Sequence, residues 1–357
     1  LKKIELVGKR WLDVVLRLVF ARRQNPIPPA SEFQKILILR LDQRIGNGLL
    51  LLPLLMAIRR SRSSAEIHLL LHQPVGRLIE RFTEGLVDVF WMYDQKKMLS
   101  NPPKFLIWLT RLRRQHFDLV ISSHNPDNFS LSQAILGRWC NPQVLAGFRW
   151  ANSPHYYDVA VKSSAENHYS ESQLDLWRNF DGRAELEFGG LHVPEPDILN
   201  AFREWKMNVE PPCALFWLGA TGNKTLPPQV VEFILEQVEQ IPGLNVKLAL
   251  GPADAALLRD YPERLAGQTL IWRQPLEQTA IFFAGFDLFI SGDTGPMHLA
   301  AALGIPTLTI FTGSNMRQYG YNDGHRHISV EYRGAEKDHD VLAESLNQIA
   351  AVILNAD

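Results

Sequence analysis

Short apolar runs with no polar face alternate with helix-like stretches along most of this chain, and few folds accommodate that rhythm. In the first half the runs are Lys35-Ile-Leu-Ile-Leu-Arg-Leu41, Glu66-Ile-His-Leu-Leu-Leu71, a segment near Val87–Val89 and Phe117-Asp-Leu-Val-Ile121. Between them, helical patterning ends near Arg60 and recurs over 103–115 and 130–138. The second half repeats the scheme with Ala214–Leu218, Val246–Leu250, 269–272, Leu288–Ser291 and Thr307–Phe311. Helices are expected there over 228–240, from about 253, over 277–284 and over 296–303. A strand without a polar face must be covered on both sides, so the pattern predicts parallel sheets wrapped by helices, a doubly wound α/β class.

At 357 residues the chain is long enough for two such domains. Residues 140–205 are less regular and rich in His, Asn, Tyr and Pro, and Leu191-His-Val-Pro-Glu-Pro196 reads as the extended crossing. The expected parts are an N-terminal helix over 1–24, a first α/β domain over 30–195, a second over 206–335, and a last helix over 338–357. Two Rossmann-like domains facing across a cleft would bind ligands at the carboxyl ends of their strands.

Formal charge is −1, so no overall basic field argues for a nucleic-acid partner. Cys140 and Cys213 are too few and too far apart for a disulfide framework, which fits a reducing, cytoplasmic setting. No apolar run is long enough to cross a membrane. At the N-terminus, Ile4, Val7, Trp11, Val14 and Leu18 fall at helical spacing among Lys2, Lys3, Lys9, Arg10, Arg17, Arg22 and Arg23. Such a helix suits either an anionic membrane surface or a solvated basic face on the body; no small-residue cleavage site follows it.

The most informative stretch is Ile290-Ser-Gly-Asp-Thr-Gly-Pro-Met-His-Leu-Ala-Ala-Ala-Leu-Gly-Ile-Pro306. A buried strand ends in a glycine-containing turn and a small-residue helix begins at once. Free backbone amides around Thr294, Gly295 and Met297, with the positive end of the helix dipole, suit a diphosphate. Pro296 fits the first helical position because its missing N–H is not needed there. Asp293 or Thr294 could equally act only as the helix cap, and His298 could be a hydrogen-bonded core residue.

The run Asp293–Pro306 closely resembles the D-[ST]-G-x-x-H-L-x-A-A-x-G-x-P signature of glycosyltransferase family 9, the ADP-heptose:lipopolysaccharide heptosyltransferases. The resemblance spans roughly residues 35–355. It implies a GT-B type fold, an ADP-heptose donor, a lipopolysaccharide core or other glycan acceptor, and work at the cytoplasmic face of the inner membrane. It also implies donor contacts from Asp293, Thr294, Gly295, Pro296, Met297 and His298, and a last helix that returns to the first domain. Gly219-Ala-Thr-Gly-Asn-Lys-Thr-Leu-Pro-Pro228 holds a lysine where the family has one. Lys224 there would neutralise charge on the leaving phosphate, and Thr221 is a weaker phosphate or sugar candidate. Asp254, after the next strand, is placed either to accept from ribose hydroxyls or to favour a helix start.

Arg40-Leu-Asp-Gln-Arg-Ile-Gly-Asn-Gly48 resembles the family's opening loop with one departure. The family's Gly-Asp, whose carboxylate is the proposed base, is Gly46-Asn47 here, and an amide is no base at neutral pH. Three readings stay open: Asp42 supplies the carboxylate, Asn47 merely holds the acceptor while Lys224 activates the donor, or the chain binds without transferring. Arg40 and Arg44 are candidates for an anionic acceptor group, and Ser122 and His124 are further acceptor-side candidates.

A nicotinamide dehydrogenase would need G-x-G-x-x-G after its first strand, and Gly46-Asn-Gly48 fails that spacing. A metal-dependent sugar transferase would need D-x-D at a strand end, whereas Asp338-His-Asp340 precedes the last helix and reads as capping. No metal or other cofactor is implied. Phosphate site and fold fix neither sugar nor acceptor, so a transferase with another sugar, or a non-catalytic nucleotide-sugar-binding relative, remains a competing reading.

Overall fold

The computed structural model describes residues 19–21, 26–150, 153–164, 166–220 and 222–355. The expected N-terminal helix over 1–24 therefore lies almost wholly outside the described residues, as does Thr221. The chain divides into two compact units, one of residues 1–43 and 50–187 and one of residues 44–49 and 188–357.

The first unit holds a six-stranded sheet built from β1 (Lys35–Leu39), β2 (Glu66–His72), β3 (Val89–Tyr93), β4 (Leu119–Ser122), β5 (Val144–Phe148) and β6 (Val159–Val161). Its order is β3-β2-β1-β4-β5-β6, and each pairing is parallel. The second unit repeats that layout with β7 (Cys213–Trp217), β8 (Asn245–Leu250), β9 (Thr269–Ile271), β10 (Leu288–Gly292), β11 (Thr307–Phe311) and β12 (His327–Glu331). There the order is β12-β11-β10-β7-β8-β9, again all parallel. In each unit the first and fourth strands are neighbours, and the direction in which successive strands are added across the sheet reverses at that pair. Loops leaving the carboxyl ends of β1 and β4, and of β7 and β10, thus flank a switch point, where open α/β sheets bind ligands.

The central strands β4, β7, β10 and β11 are buried along their whole length, whereas the edge strands β3 and β9 are only partly covered. This is why the central strands read as unbroken apolar runs in sequence. Both sheets are pinned by one device: an aspartate just before a strand accepts the backbone N–H of a residue in a neighbouring strand. Asp88 takes Ile67 N at 2.7 Å, Asp118 takes Lys35 N at 2.8 Å, Asp158 takes Leu145 N at 2.8 Å and Asp287 takes Cys213 N at 2.8 Å. A single ionised acceptor at each site fixes register where the ladder starts.

Several expectations change. The strand placed near Val87–Val89 runs from Val89 to Tyr93, and the irregular region 140–205 contains β5, β6 and the helices Tyr169–Arg178 and Glu195–Glu204. The segment after Pro252 is a 3-10 helix over Pro252–Arg259. The second unit begins at Phe188 rather than after 195: the Phe188 ring packs on Tyr321 with centroids 4.7 Å apart, and Leu191 N–H donates to Ala302 O at 2.9 Å. In the last helix, Glu336–Leu354, the residues Leu342, Leu346, Ile349 and Ala350 are buried in the second unit's core. Asp338 does cap it, accepting the backbone N–H groups of Arg333 at 2.7 Å and Ala335 at 3.0 Å. Cys140 and Cys213 are both buried and unpaired.

Candidate functional site

In the second unit the switch point is formed by the turn after β10 and the loop after β7. The Gly292-Asp-Thr turn leads directly into the helix Gly295–Ala302. Thr294 is the N-cap residue in extended conformation, yet its side chain makes no capping bond, and Pro296 sits at the second helical position. Asp293 does not cap either. Its carboxylate, almost fully buried, accepts from Lys224 Nζ at 2.5 Å and from the Ser314 hydroxyl. Among the described residues the first helical amides therefore have no side-chain partner, while Met297 N–H donates back to Thr294 O at 3.2 Å. A helix start left in this state suits an anion.

Lys224 lies in the 3-10 turn Gly222–Lys224, about a third exposed, with its ammonium 5.6 Å from the Tyr319 ring centroid. Asp293 fixes one of its three protons, and Tyr319 offers a π-face to the charge. The close approach of this loop requires Gly292: a Cβ there would sit 2.9 Å from the Lys224 carbonyl oxygen. A β-carbon would push away the loop that carries the lysine.

His298 was a donor-contact candidate with a core alternative, and the geometry gives it the core position. It is buried, with Nδ1 3.0 Å from the Tyr321 hydroxyl, and burial pushes its pKa down to about 4. A neutral imidazole cannot answer a diphosphate's charge. Gly46, in the short helix Ile45–Leu49, accommodates this ring, because a Cβ there would fall 2.3 Å from His298 Cδ2. Asn47 is buried in the same helix, and Arg44 stands exposed just before it. Asp254 is half-buried in the first turn of its 3-10 helix, beside the Gly219 backbone and Trp217. Burial raises its pKa. Among the described residues its carboxylate has no hydrogen-bond partner, a state that suits a hydroxyl-bearing ligand better than a capping role.

The first unit's switch point is organised by Arg40, which follows β1 and is buried. Its guanidinium donates to Ser123 O at 2.8 Å, to Asn125 Oδ1 at 2.5 Å and to Asp42 Oδ2 at 2.5 Å. The expected fork toward an anionic acceptor is thus directed inward, tying the β1 loop to the β4 loop. Ser122 is also buried, bonded to the Tyr157 hydroxyl at 2.9 Å, so it offers no surface contact. Asp42 is partly exposed, with a side-chain accessibility of 22%. His124 is half-buried, and burial, reinforced by Arg40, holds its pKa below the usual value.

Sequence reasoning missed Ser314, Tyr319 and Tyr321. Ser314 could have been found, since Thr312-Gly-Ser314 follows the carboxyl end of a buried parallel strand. Among the described residues, no group of three or more His, Cys, Asp or Glu is placed to hold a metal ion.

The sequence model of Glycosyltransferase family 9 (heptosyltransferase) matches residues 108–346, well over half of the chain. The chain belongs to this family. Its fold agrees with solved family structures at low identity. A family 9 glycosyl transferase from Veillonella parvula is 14% identical with a TM-score of 0.69, covering 90% of this chain and 98% of that one. ADP-heptose lps heptosyltransferase II from E. coli is 16% identical with a TM-score of 0.67, covering 90% and 98%. E. coli heptosyltransferase WaaC with ADP is 16% identical with a TM-score of 0.61, covering 89% and 99%. A search of curated protein sequences gave no match. The family 9 chain is thus a glycosyltransferase by kinship with a GT-B type α/β fold, and its two six-stranded sheets carry the switch-point residues described above.

Proposed function

We propose that the chain transfers heptose from ADP-heptose to a lipopolysaccharide core acceptor, with inversion at the anomeric carbon. The observation that carries this reading is the helix start at Gly295, which no side chain caps, beside Lys224 held by the buried Asp293. The resemblance to heptosyltransferases, one of which is described both with ADP and with ADP-2-deoxy-2-fluoro heptose, supports the donor.

In this reading the diphosphate meets the backbone amides of Thr294, Gly295 and Met297 and the Lys224 ammonium, and Asp254 accepts from a ribose hydroxyl. Asp293 is a positioning residue: a carboxylate facing phosphate would repel it, whereas one bound to Lys224 and Ser314 aims both donors. The acceptor hydroxyl oxygen bonds to the anomeric carbon as the bond to the β-phosphate oxygen breaks and ADP leaves with the electron pair. Asp42, held by Arg40, takes the hydroxyl proton. Lys224 and the helix dipole supply the positive charge that a metal would otherwise bring.

The substitution of Asn47 for the family carboxylate favours a second reading, in which the chain binds the nucleotide sugar without turnover. ADP release from ADP-heptose with heptose-deficient lipopolysaccharide separates the two. Turnover that falls sharply with Asp42→Asn supports a relocated base. Turnover indifferent to Asp42 removes that role, and ADP-heptose binding without turnover leaves either the second reading or a transferase for a different acceptor. With such an acceptor, the protein would act in the cytoplasm at the inner face of the inner membrane. No helix among the described residues is long and apolar enough to cross one.

A further inference from the structure

The helix Pro102–Arg113 of the first unit does not behave like a helix packed on a core. It carries the unbroken apolar run Phe105-Leu-Ile-Trp-Leu109, yet only Leu112 is buried. Leu106 and Ile107 are 60% and 54% exposed. Under this helix lies a cavity of about 530 Å³ whose lining includes Leu41, Tyr93, Met98, Phe105, Trp108 and Trp139. Its wall is overwhelmingly hydrocarbon and aromatic, and Leu41 sets it next to Asp42 at the end of β1.

Charge around this surface is one-sided. From Gln95 to Phe117 the chain has six basic residues, Lys96, Lys97, Lys104, Arg111, Arg113 and Arg114, and no acidic one, in a protein of formal charge −1. All six are exposed. Arg113 is held in place, with its guanidinium 5.2 Å from the Trp139 ring centroid and a hydrogen bond to Trp139 O at 2.7 Å. At the edge of this surface Asp94 pairs with Lys97 at 3.6 Å, and Lys96, Lys104, Arg111, Arg113 and Arg114 leave the rim strongly basic on balance. Exposed aliphatic side chains, an apolar cavity and a net basic rim complement one partner: a bilayer with anionic headgroups.

We propose that the Gln95–Arg113 region is the face by which this protein docks on an anionic lipid bilayer, with Leu106 and Ile107 entering the acyl region and the cavity receiving hydrocarbon from a lipid. The inference extends the reading of a membrane-borne acceptor, and it is tested without donor or turnover, so the two can fail separately. The probe is flotation of the full chain with phosphatidylcholine vesicles, with and without phosphatidylglycerol. The wild type is expected to float with the anionic vesicles and to be released by high salt. The pair Lys104→Gln and Arg111→Gln should weaken partitioning about 25-fold, at roughly fivefold per basic side chain near the surface. The pair Leu106→Glu and Ile107→Glu should weaken it by about tenfold or more. All four positions are exposed, and unchanged circular dichroism and thermal midpoint would show that the fold is kept. Failure of the wild type to float, or equal flotation of both variants and wild type, would overturn the proposal.

Discussion

The two units share a strand order but use the carboxyl ends of their first and fourth strands in opposite ways. In the first, Arg40 is buried and binds Ser123, Asn125 and Asp42, so its charge closes the loops on each other. In the second, the corresponding turn leaves a helix start without a side-chain cap, and a part-exposed Lys224 stands beside it. The same scaffold thus makes one loop pair that Arg40 ties together from within and one site whose lysine is part-exposed beside an uncapped helix start. Topology locates a site in each unit, and the direction in which the cationic side chain donates decides what that site can do.

The comparison is broken most severely at Arg40. Arg40→Met leaves buried acceptors unpartnered and should destabilise the protein by about 3–5 kcal/mol in urea unfolding; a loss below about 1 kcal/mol would mean that Arg40 is not the internal tie described here. Lys224→Ala should act mainly on function: it leaves the buried Asp293 carboxylate with Ser314 alone, so it should cost about 1–3 kcal/mol in urea unfolding, less than Arg40→Met, while lowering turnover by about 10²–10³-fold. Gly292→Ala sharpens the point. Its Cβ would meet the Lys224 carbonyl, so it should cost about 1–3 kcal/mol and impair ADP binding as well.

A pH series probes the second unit's core. Burial holds both His298 and His327 down to about 4, below the usual value near 6.5. The unfolded chain then binds protons that the folded one refuses, so stability is fully present above about 6.5 and is lost as pH falls toward 4. The expected loss is on the order of 3 kcal/mol per histidine, and His298→Gln should flatten part of the slope in thermal midpoint. The smallest effect belongs to Thr294→Ala. Loss of a capping side chain usually costs about 1 kcal/mol, but with no cap bond to lose the change here should stay below about 0.5 kcal/mol, with any effect confined to donor binding.

The contrast also explains what the sequence made legible. A helix start suited to an anion depends on backbone amides, and that demand fixes small residues and a turn in one contiguous run, so the turn and helix start over Gly292–Met297 could be read directly, and their phosphate role is the reading proposed above. Lys224 needed the resemblance, because a lysine before a helix is ordinary by itself. The roles of Arg40 and Ser122 were misread as outward because their partners, Ser123, Asn125 and Tyr157, come from distant segments. Ser314 was missed for the same reason, lying 21 residues from the aspartate it binds. Strands β5 and β6 escaped notice because each is short and interrupted by small or aromatic residues, while the buried central strands of both sheets stood out by their unbroken apolar character.

The most direct test of the donor site is calorimetric titration of ADP into wild type and Lys224→Ala at neutral pH, with a chelator present. The account predicts saturable binding at one site, undisturbed by the chelator and at least about tenfold weaker without the ammonium, since loss of a charged hydrogen-bond donor costs about 1.5–3 kcal/mol. Absence of ADP binding, a requirement for a divalent cation, or equal affinity in the two proteins would contradict it.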